Sequence, residues 1–471
     1  MKRLLATTAF LAVAVNAQAA DLQARAPYLK APVAMVYDWT GFYLGVNAGV
    51  GMGRDYTRLD VAAAPSFDRS YLSPQGALGG GQIGYNWQTN SIVGPVVFGV
   101  EADIQGTGMS DNHTCLLLCA PVQNALYNQK LDWFGTARGR VGIANGPVLS
   151  YVTGGWAYGS VKTTLTETAG GGTGTFSSNQ NRSGWVYGSG VEASLGGNWT
   201  GKIEYLYLNL GDRRDGFILN GAAQTLTTDI REHMFRVGLN YRIGGNSNYV
   251  TPPPANWTGL YLGGNIGSGY ARDRSSLIST TAPINETFTL SPEGIIGGAQ
   301  VGYNWQASNW VFGVETDIQG STQRDNKACV LTCSAVAAAY DAKLPWFGTV
   351  RGRLGYSVGS TLFYATGGFA YGNIKTNINF SNVGTTTLVN ISGTKGGWTA
   401  GAGIETPFTL LGLLGPNWTA KSEYLYVDLG SVTSSPFVIG VTTLVASTSV
   451  KEHVMRTGIN YHFNSPVVAK Y

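Results

Sequence analysis

Apolar and polar residues alternate with a period of two along most of this chain. Across 232–243, His233, Phe235, Val237, Leu239, Tyr241 and Ile243 alternate with Glu232, Met234, Arg236, Gly238 and Asn240. Across 452–463, Met455, Thr457, Ile459, Tyr461 and Phe463 alternate with Glu452, Val454, Arg456, Gly458 and Asn460. Phe98, Val100, Ala102 and Ile104 alternate in the same way with Gly99, Glu101, Asp103 and Gln105. Alternation of this length predicts strands with one apolar and one polar face. Residues 38–243 parse into about eight of them, near 39–53, 76–88, 95–108, 131–144, 148–165, 183–195, 199–210 and 228–243. The connections near 89–94, 145–147 and 196–198 are short, and those near 54–73, 109–130, 166–182 and 211–227 are long. Short turns on one side and long loops on the other are the habit of up-and-down barrels of the outer membrane.

The same pattern occurs twice. Trp39-Thr40-Gly41-Phe42-Tyr43-Leu44-Gly45 returns as Trp257-Thr258-Gly259-Leu260-Tyr261-Leu262-Gly263, and Trp133-Phe134-Gly135-Thr136 returns as Trp346-Phe347-Gly348-Thr349. Residues 38–243 and 257–463 are therefore two copies of one unit, each far longer than a solenoid or propeller repeat. A sheet that spans lipid must close, because an open edge leaves backbone groups unpaired. The fold class predicted is all-β, a transmembrane antiparallel up-and-down β-barrel, with two eight-stranded barrels in tandem. The alternative is one sixteen-stranded barrel with a wide aqueous lumen. The linker 244–256 contains Pro252-Pro253-Pro254 and reads as an extended periplasmic spacer, which favours two barrels.

Composition agrees with a membrane barrel. Charged residues are 12% of the chain and glycine is 66 of 471 residues, against roughly 25% and 7% in soluble proteins. Residues 1–19 read as a signal peptide: Lys2 and Arg3, an apolar run from Leu4 to Val15, then Ala17-Gln18-Ala19. Residues 20–37 then form a periplasmic segment and 464–471 a tail. The net charge of +4 and the lack of a basic run argue against nucleic acid. Aromatics fall where two interfacial belts belong. Trp39, Trp87, Trp199, Tyr241, Trp257, Trp305, Trp418, Tyr461 and Phe463 mark the inner rim, and Trp133, Trp185, Trp346 and Trp398 the outer rim.

The polar face carries charges matched between the copies. Glu101, Asp103, Arg138, Arg140, Glu192, Lys202, Glu204, Glu232 and Arg236 correspond to Glu315, Asp317, Arg351, Arg353, Glu405, Lys421, Glu423, Glu452 and Arg456. Their alternation places them inside, where the favoured reading is an ion-pair network filling a narrow lumen. The competing reading is a charged path through a pore. Cys115 with Cys119 and Cys329 with Cys333 form an even set in an exported chain, which predicts local loop disulfides rather than a metal site. No catalytic, cofactor or metal residues are assigned. His233 and His453 face outward with no matched serine beside them. Gly79-Gly80-Gly81-Gln82-Ile83-Gly84 runs into a strand, not the helix that a dinucleotide fingerprint needs.

The opening Trp39–Gly45 motif, Gly84-Tyr85-Asn86-Trp87, Trp133 to Arg140 and Glu204-Tyr205-Leu206-Tyr207 together resemble the outer-membrane immunogenic protein family, porin-like opacity-type surface barrels of Gram-negative bacteria. The resemblance implies an OmpA-like eight-stranded domain without enzymatic activity. It also implies a barrel-assembly signal at Gly458, Tyr461 and Phe463, degraded in copy one, where Ile243 takes the last aromatic position. The function expected is a non-enzymatic envelope protein that presents long loops at the surface. A passive diffusion channel is the alternative, and a receptor for a ligand such as haemin, carried by loops near 109–130 and 322–343, is a weaker one. The partners expected are outer-membrane lipid, lipopolysaccharide and the barrel-assembly machinery.

Overall fold

In a computed structural model, each repeat closes into its own antiparallel barrel. The structure describes residues 37–62, 66–92, 94–114, 123–169, 172–244, 254–280, 285–328, 337–382, 385–408, 414–439 and 441–464. The signal segment, the four cysteines, most of the proline linker and the C-terminal tail lie outside the described residues.

Copy one contains β1 (Gly41–Gly53), β2 (Asp55–Val61), β3 (Ser66–Leu72), β4 (Gln75–Ser91), β5 (Gly94–Thr114), β6 (Gln123–Asn145), β7 (Val148–Ala169), β8 (Gly172–Gly196), β9 (Trp199–Leu219) and β10 (Ala222–Ile243). Strands β4 to β10 follow β1 around a ring, and β10 pairs back onto β1 from Phe42↔Ile243 to Gly53↔Glu232. The hairpin β2–β3 extends the sheet from the outer end of β10. Copy two contains β11 (Gly259–Ala271), β12 (Asp273–Ser279), β13 (Asn285–Leu290), β14 (Glu293–Ala307), β15 (Trp310–Ser321), β16 (Arg324–Ala328), β17 (Ala337–Val358), β18 (Thr361–Asn382), β19 (Thr385–Pro407), β20 (Trp418–Thr433), β21 (Phe437–Ile439) and β22 (Thr442–His462). Its ring closes by pairing of β22 with β11, from Tyr261↔His462 to Ala271↔Glu452. Each last strand therefore returns to the first strand of its own copy, so the chain is two eight-stranded barrels and not one of sixteen.

The short turns lie where the alternation predicts them. The long loops do not. Strand β8 runs for 25 residues, far more than the 9–11 that cross a bilayer. Segments read as loops near 109–130, 166–182 and 211–227 are largely strand, because the ladder continues past the hydrocarbon. There both faces tolerate polar residues, and the period-two signal fades.

Outward residues between the rims are apolar, as lipid demands. Phe42, Val100, Val152, Val237, Leu262 and Val314 are all exposed. Trp87, Trp199 and Trp305 stand exposed at the inner rim, with Trp185 and Trp398 at the outer. Trp39 and Trp257 depart from the expected belt, for both are fully buried. The backbone N–H of Trp39 donates to Gln88 Oε1 (2.9 Å) and that of Trp257 to Gln306 Oε1 (2.6 Å). These bonds turn each ring inward. The indoles then donate to Gly146 O and Ser357 Oγ, both at 3.1 Å, and close the inner ends of the lumens.

Candidate functional site

The lumens hold the chemistry-bearing residues. Strands β5, β6, β9 and β10 bring six charged side chains of copy one to the same level. Arg138 on β6 pairs with Glu101, with Asp103 (2.9 Å) and with Glu204 (3.1 Å). Arg236 on β10 donates to Asp103 (2.8 Å) and, through Nε, to Glu204 (2.6 Å). Lys202 Nζ reaches Glu101 at 2.9 Å. One layer closer to the inner rim, Arg140 pairs with Glu192 at 2.9 Å, and Thr200 and Asn240 also donate to Glu192.

Copy two reproduces this set. Arg351 joins Glu315, Asp317 (2.9 Å) and Glu423 (2.9 Å), and Arg456 joins Asp317 (2.8 Å) and Glu423 (2.6 Å). Lys421 reaches Glu315 and Arg353 reaches Glu405, at 2.9 and 2.7 Å. No side chain in either network is more than 2% exposed. Each network balances four acids against four bases, and buried charges persist when paired and hydrogen-bonded in this way.

Glu232 and Glu452 depart from the expected grouping. Both face inward and are fully buried, but neither has a cation partner among the described ion pairs. They lie above the network, level with the outer girdle. Glu452 takes a hydrogen bond from Gln323.

Four tyrosines that the alternation did not single out complete the networks. Tyr43 donates to Glu101 (2.8 Å), Tyr151 to Glu204 (2.9 Å), Tyr261 to Glu315 (2.8 Å) and Tyr364 to Glu423 (3.0 Å). Each lies over a cross-strand glycine. A Cβ on Gly84, Gly190, Gly302 or Gly403 would run into the ring of Tyr43, Tyr151, Tyr261 or Tyr364 respectively. The register sets a glycine directly opposite each tyrosine, a pairing in which the ring covers the bare backbone. Gly84→Val should therefore displace Tyr43 and destabilise the first barrel by about 1–3 kcal/mol. Gly81→Ala, whose Cβ meets only Gly45 O at 3.7 Å, should be close to neutral. Urea titration of both variants in detergent checks this, and equal midpoints would show that the tyrosine has no fixed place.

The copies differ at one position beside the networks. Arg242 lies over the rings of Tyr37 and Trp39. Its counterpart His462 instead contacts Glu405 (3.0 Å) and stacks on Tyr261.

A second plug lies above the charges. Leu78, Phe134, Leu206, Leu208, Ile230 and Met234 belong to one buried apolar cluster inside the first barrel. Ile296, Phe347, Leu425, Val427, Val450 and Val454 take the matching places in the second. Each lumen is thus filled at three levels: a tryptophan at the inner end, a charge network, and an apolar plug toward the outside. An eight-stranded barrel is just wide enough for side chains to fill in this manner. Among the described residues, no group of three or more histidine, cysteine, aspartate or glutamate residues is arranged to hold a metal.

Sequence comparisons agree with this architecture. The family model described as "Outer membrane protein beta-barrel domain" matches residues 5–242 and again 250–463. The 31 kDa outer-membrane immunogenic protein of Brucella melitensis biotype 1 is 37% identical over 213 residues, covering 44% of this chain and 84% of that protein. The 22 kDa outer membrane protein of Rhizobium leguminosarum bv. viciae is 32% identical over 183 residues, 38% of this chain and 67% of that protein. The 25 kDa outer-membrane immunogenic protein of Brucella melitensis biotype 1 is 27% identical over 238 residues, 50% of this chain and 95% of that protein. Each relative thus corresponds to about one repeat. Two closed barrels, lipid-facing apolar bands and a double match to one domain lead to a single assignment: the chain belongs to the outer-membrane protein β-barrel domain family, carries that domain twice, and resides in the outer membrane.

Proposed function

We propose that this protein is a non-enzymatic surface-presenting component of the envelope, in which two filled barrels act as rigid anchors for the segments outside the membrane. The observation that carries this reading is the filling of each lumen at three levels. A carboxylate pair such as Glu101 and Asp103 could serve acid–base chemistry only beside a substrate cleft. Here both carboxylates are consumed by Arg138, Lys202 and Arg236. The same filling opposes the diffusion-channel reading. Several relatives are named for being immunogenic, which fits a surface role. Lipid and lipopolysaccharide are the partners that the apolar bands suit. Tyr461 and Phe463, exposed on and just past the last strand, suit the barrel-assembly machinery. The centres of the two loops that a haemin receptor would use, near 109–130 and 322–343, lie outside the described residues.

Planar-bilayer recording tests the reading. The full chain should add no steady conductance to the lipid baseline at neutral pH and moderate salt. A stable, ohmic conductance in every insertion event would sink the filled-anchor proposal and make the protein a porin.

A further inference from the structure

The two barrels meet through residues that occupy equivalent positions in the two copies. Arg54, just after β1, reaches Asp325 of copy two at 2.5 Å, and Arg272, just after β11, reaches Asp111 of copy one at 2.5 Å. Arg54 and Arg272 are equivalent, and so are Asp111 and Asp325. Each aspartate is fixed by its own copy. The Ser73 N–H donates to Asp111 and the Ser291 N–H to Asp325, both at 2.8 Å. The hydroxyls of these two equivalent serines then hydrogen-bond to each other between the barrels. A residue that meets its own counterpart marks a local two-fold axis.

The reciprocity continues down the barrels. Phe235 of copy one packs on Tyr424 of copy two, with ring centroids 5.5 Å apart. Their counterparts, Met455 and Tyr205, line one crevice between the barrels. Nearer the inner rim, the open side of Gly201 faces the ring of Phe363, and their counterparts, Ala420 and Ser150, line a common crevice. Three levels therefore obey one symmetry. Two additions come from copy two. Tyr270, where copy one has Met52, bonds to Tyr205 (3.1 Å) and packs on the His233 ring (3.9 Å between centroids). Glu293, where copy one has Gln75, gives Arg54 a second partner at 3.2 Å.

We infer that this face is a self-recognition surface whose fitting partner is a second copy of the same barrel, so that the chain is a two-fold barrel dimer joined by a linker. In such an isologous contact each subunit carries both halves of every pair. Arg54 and Asp111 lie on one barrel, and Arg272 and Asp325 on the other. The linker sets only local concentration, and the face itself holds the pair.

The test uses the full chain with a protease site placed within 244–256, an affinity tag on the second repeat, and the four cysteines changed to serine. After cleavage in mild detergent, the tag should recover both halves. Arg54→Glu with Arg272→Glu sets like charges against Asp325 and Asp111, and recovery of the first half should fall at least about tenfold. Both halves should keep their heat-dependent gel mobility, which shows that each barrel is still folded. In a third chain, Ser73→Cys with Ser291→Cys should join the cleaved halves in a reducible band. Halves that part on simple cleavage, recovery unchanged by the double charge reversal, or absence of the cross-link would each overturn the inference.

Discussion

Replacing Arg138 by alanine should destabilise the first barrel by about 3–5 kcal/mol, the usual consequence of leaving buried charges without their partner. Three carboxylates share this guanidinium: Glu101, Asp103 and Glu204. Lys202, Arg236 and Arg140 would remain, so a network that held four acids and four bases would hold four and three. Water cannot readily screen the excess, because the tryptophan below and the apolar cluster above close off the layer. Arg351→Ala should do the same to the second barrel, which provides an internal repetition. Arg58→Ala removes an exposed pair with Asp60 and should leave the unfolding midpoint essentially unchanged. Urea unfolding followed by tryptophan emission, with the unmutated barrel as reference, reads all three. A loss below about 1 kcal/mol for Arg138→Ala would mean that the network is hydrated, and the filled-lumen argument would lose its basis.

Period-two patterning made the ring and its polar face legible from sequence. Glu101, Asp103, Arg138 and Arg236 could be placed inside because Val100, Ala102 and Val237 beside them are plainly outward. The upper plug could not be read in this way. Leu206, Leu208 and Leu210 point inward while Tyr205 and Tyr207 point outward, so both faces of β9 are apolar there and no alternation remains. Trp39 and Trp257 misled for a different reason. A tryptophan just before a first strand suits an interfacial belt, and only the tertiary bonds to Gln88 and Gln306 turn the rings under the barrels. The hairpin β2–β3 and the outer halves of β5 to β10 were hidden by composition. Their serines, asparagines, threonines and glycines carry loop signals, yet a neighbouring strand already fixed in the ring supplies a ladder for them to extend. Tyr43 was obscured by Phe42, since two adjacent aromatics do not reveal which one faces lipid. The pairing between barrels left no trace in periodicity, because Arg54, Ser73 and Asp111 are ordinary loop-type residues until a second copy is set against them.

Each half of the chain, residues 20–250 and 251–471, should fold by itself in detergent and show the mobility difference between unheated and boiled samples that marks a closed barrel. The ladder supplies the reason. Strand β1 is paired on one side with β10 over twelve positions and on the other with β4 over twelve. In copy two, β11 is paired with β22 over eleven positions and with β14 over twelve. Among the described residues, no ring strand takes a backbone hydrogen bond from the other copy, and in lipid that dependence would decide whether a sheet persists. The ion-pair networks are likewise complete within each copy. Separation should cost only the contacts between the barrels, so both halves should shift, with lower thermal stability than in the intact chain. If only the intact chain shifted, closure would require both repeats, and the assignment of two independent rings would fail together with the filling argument built on it. If the first half alone failed inside cells but refolded in detergent, the cause would lie in delivery. Ile243 stands where Phe463 ends the second barrel, and Ile243→Phe should then restore the first half to the membrane.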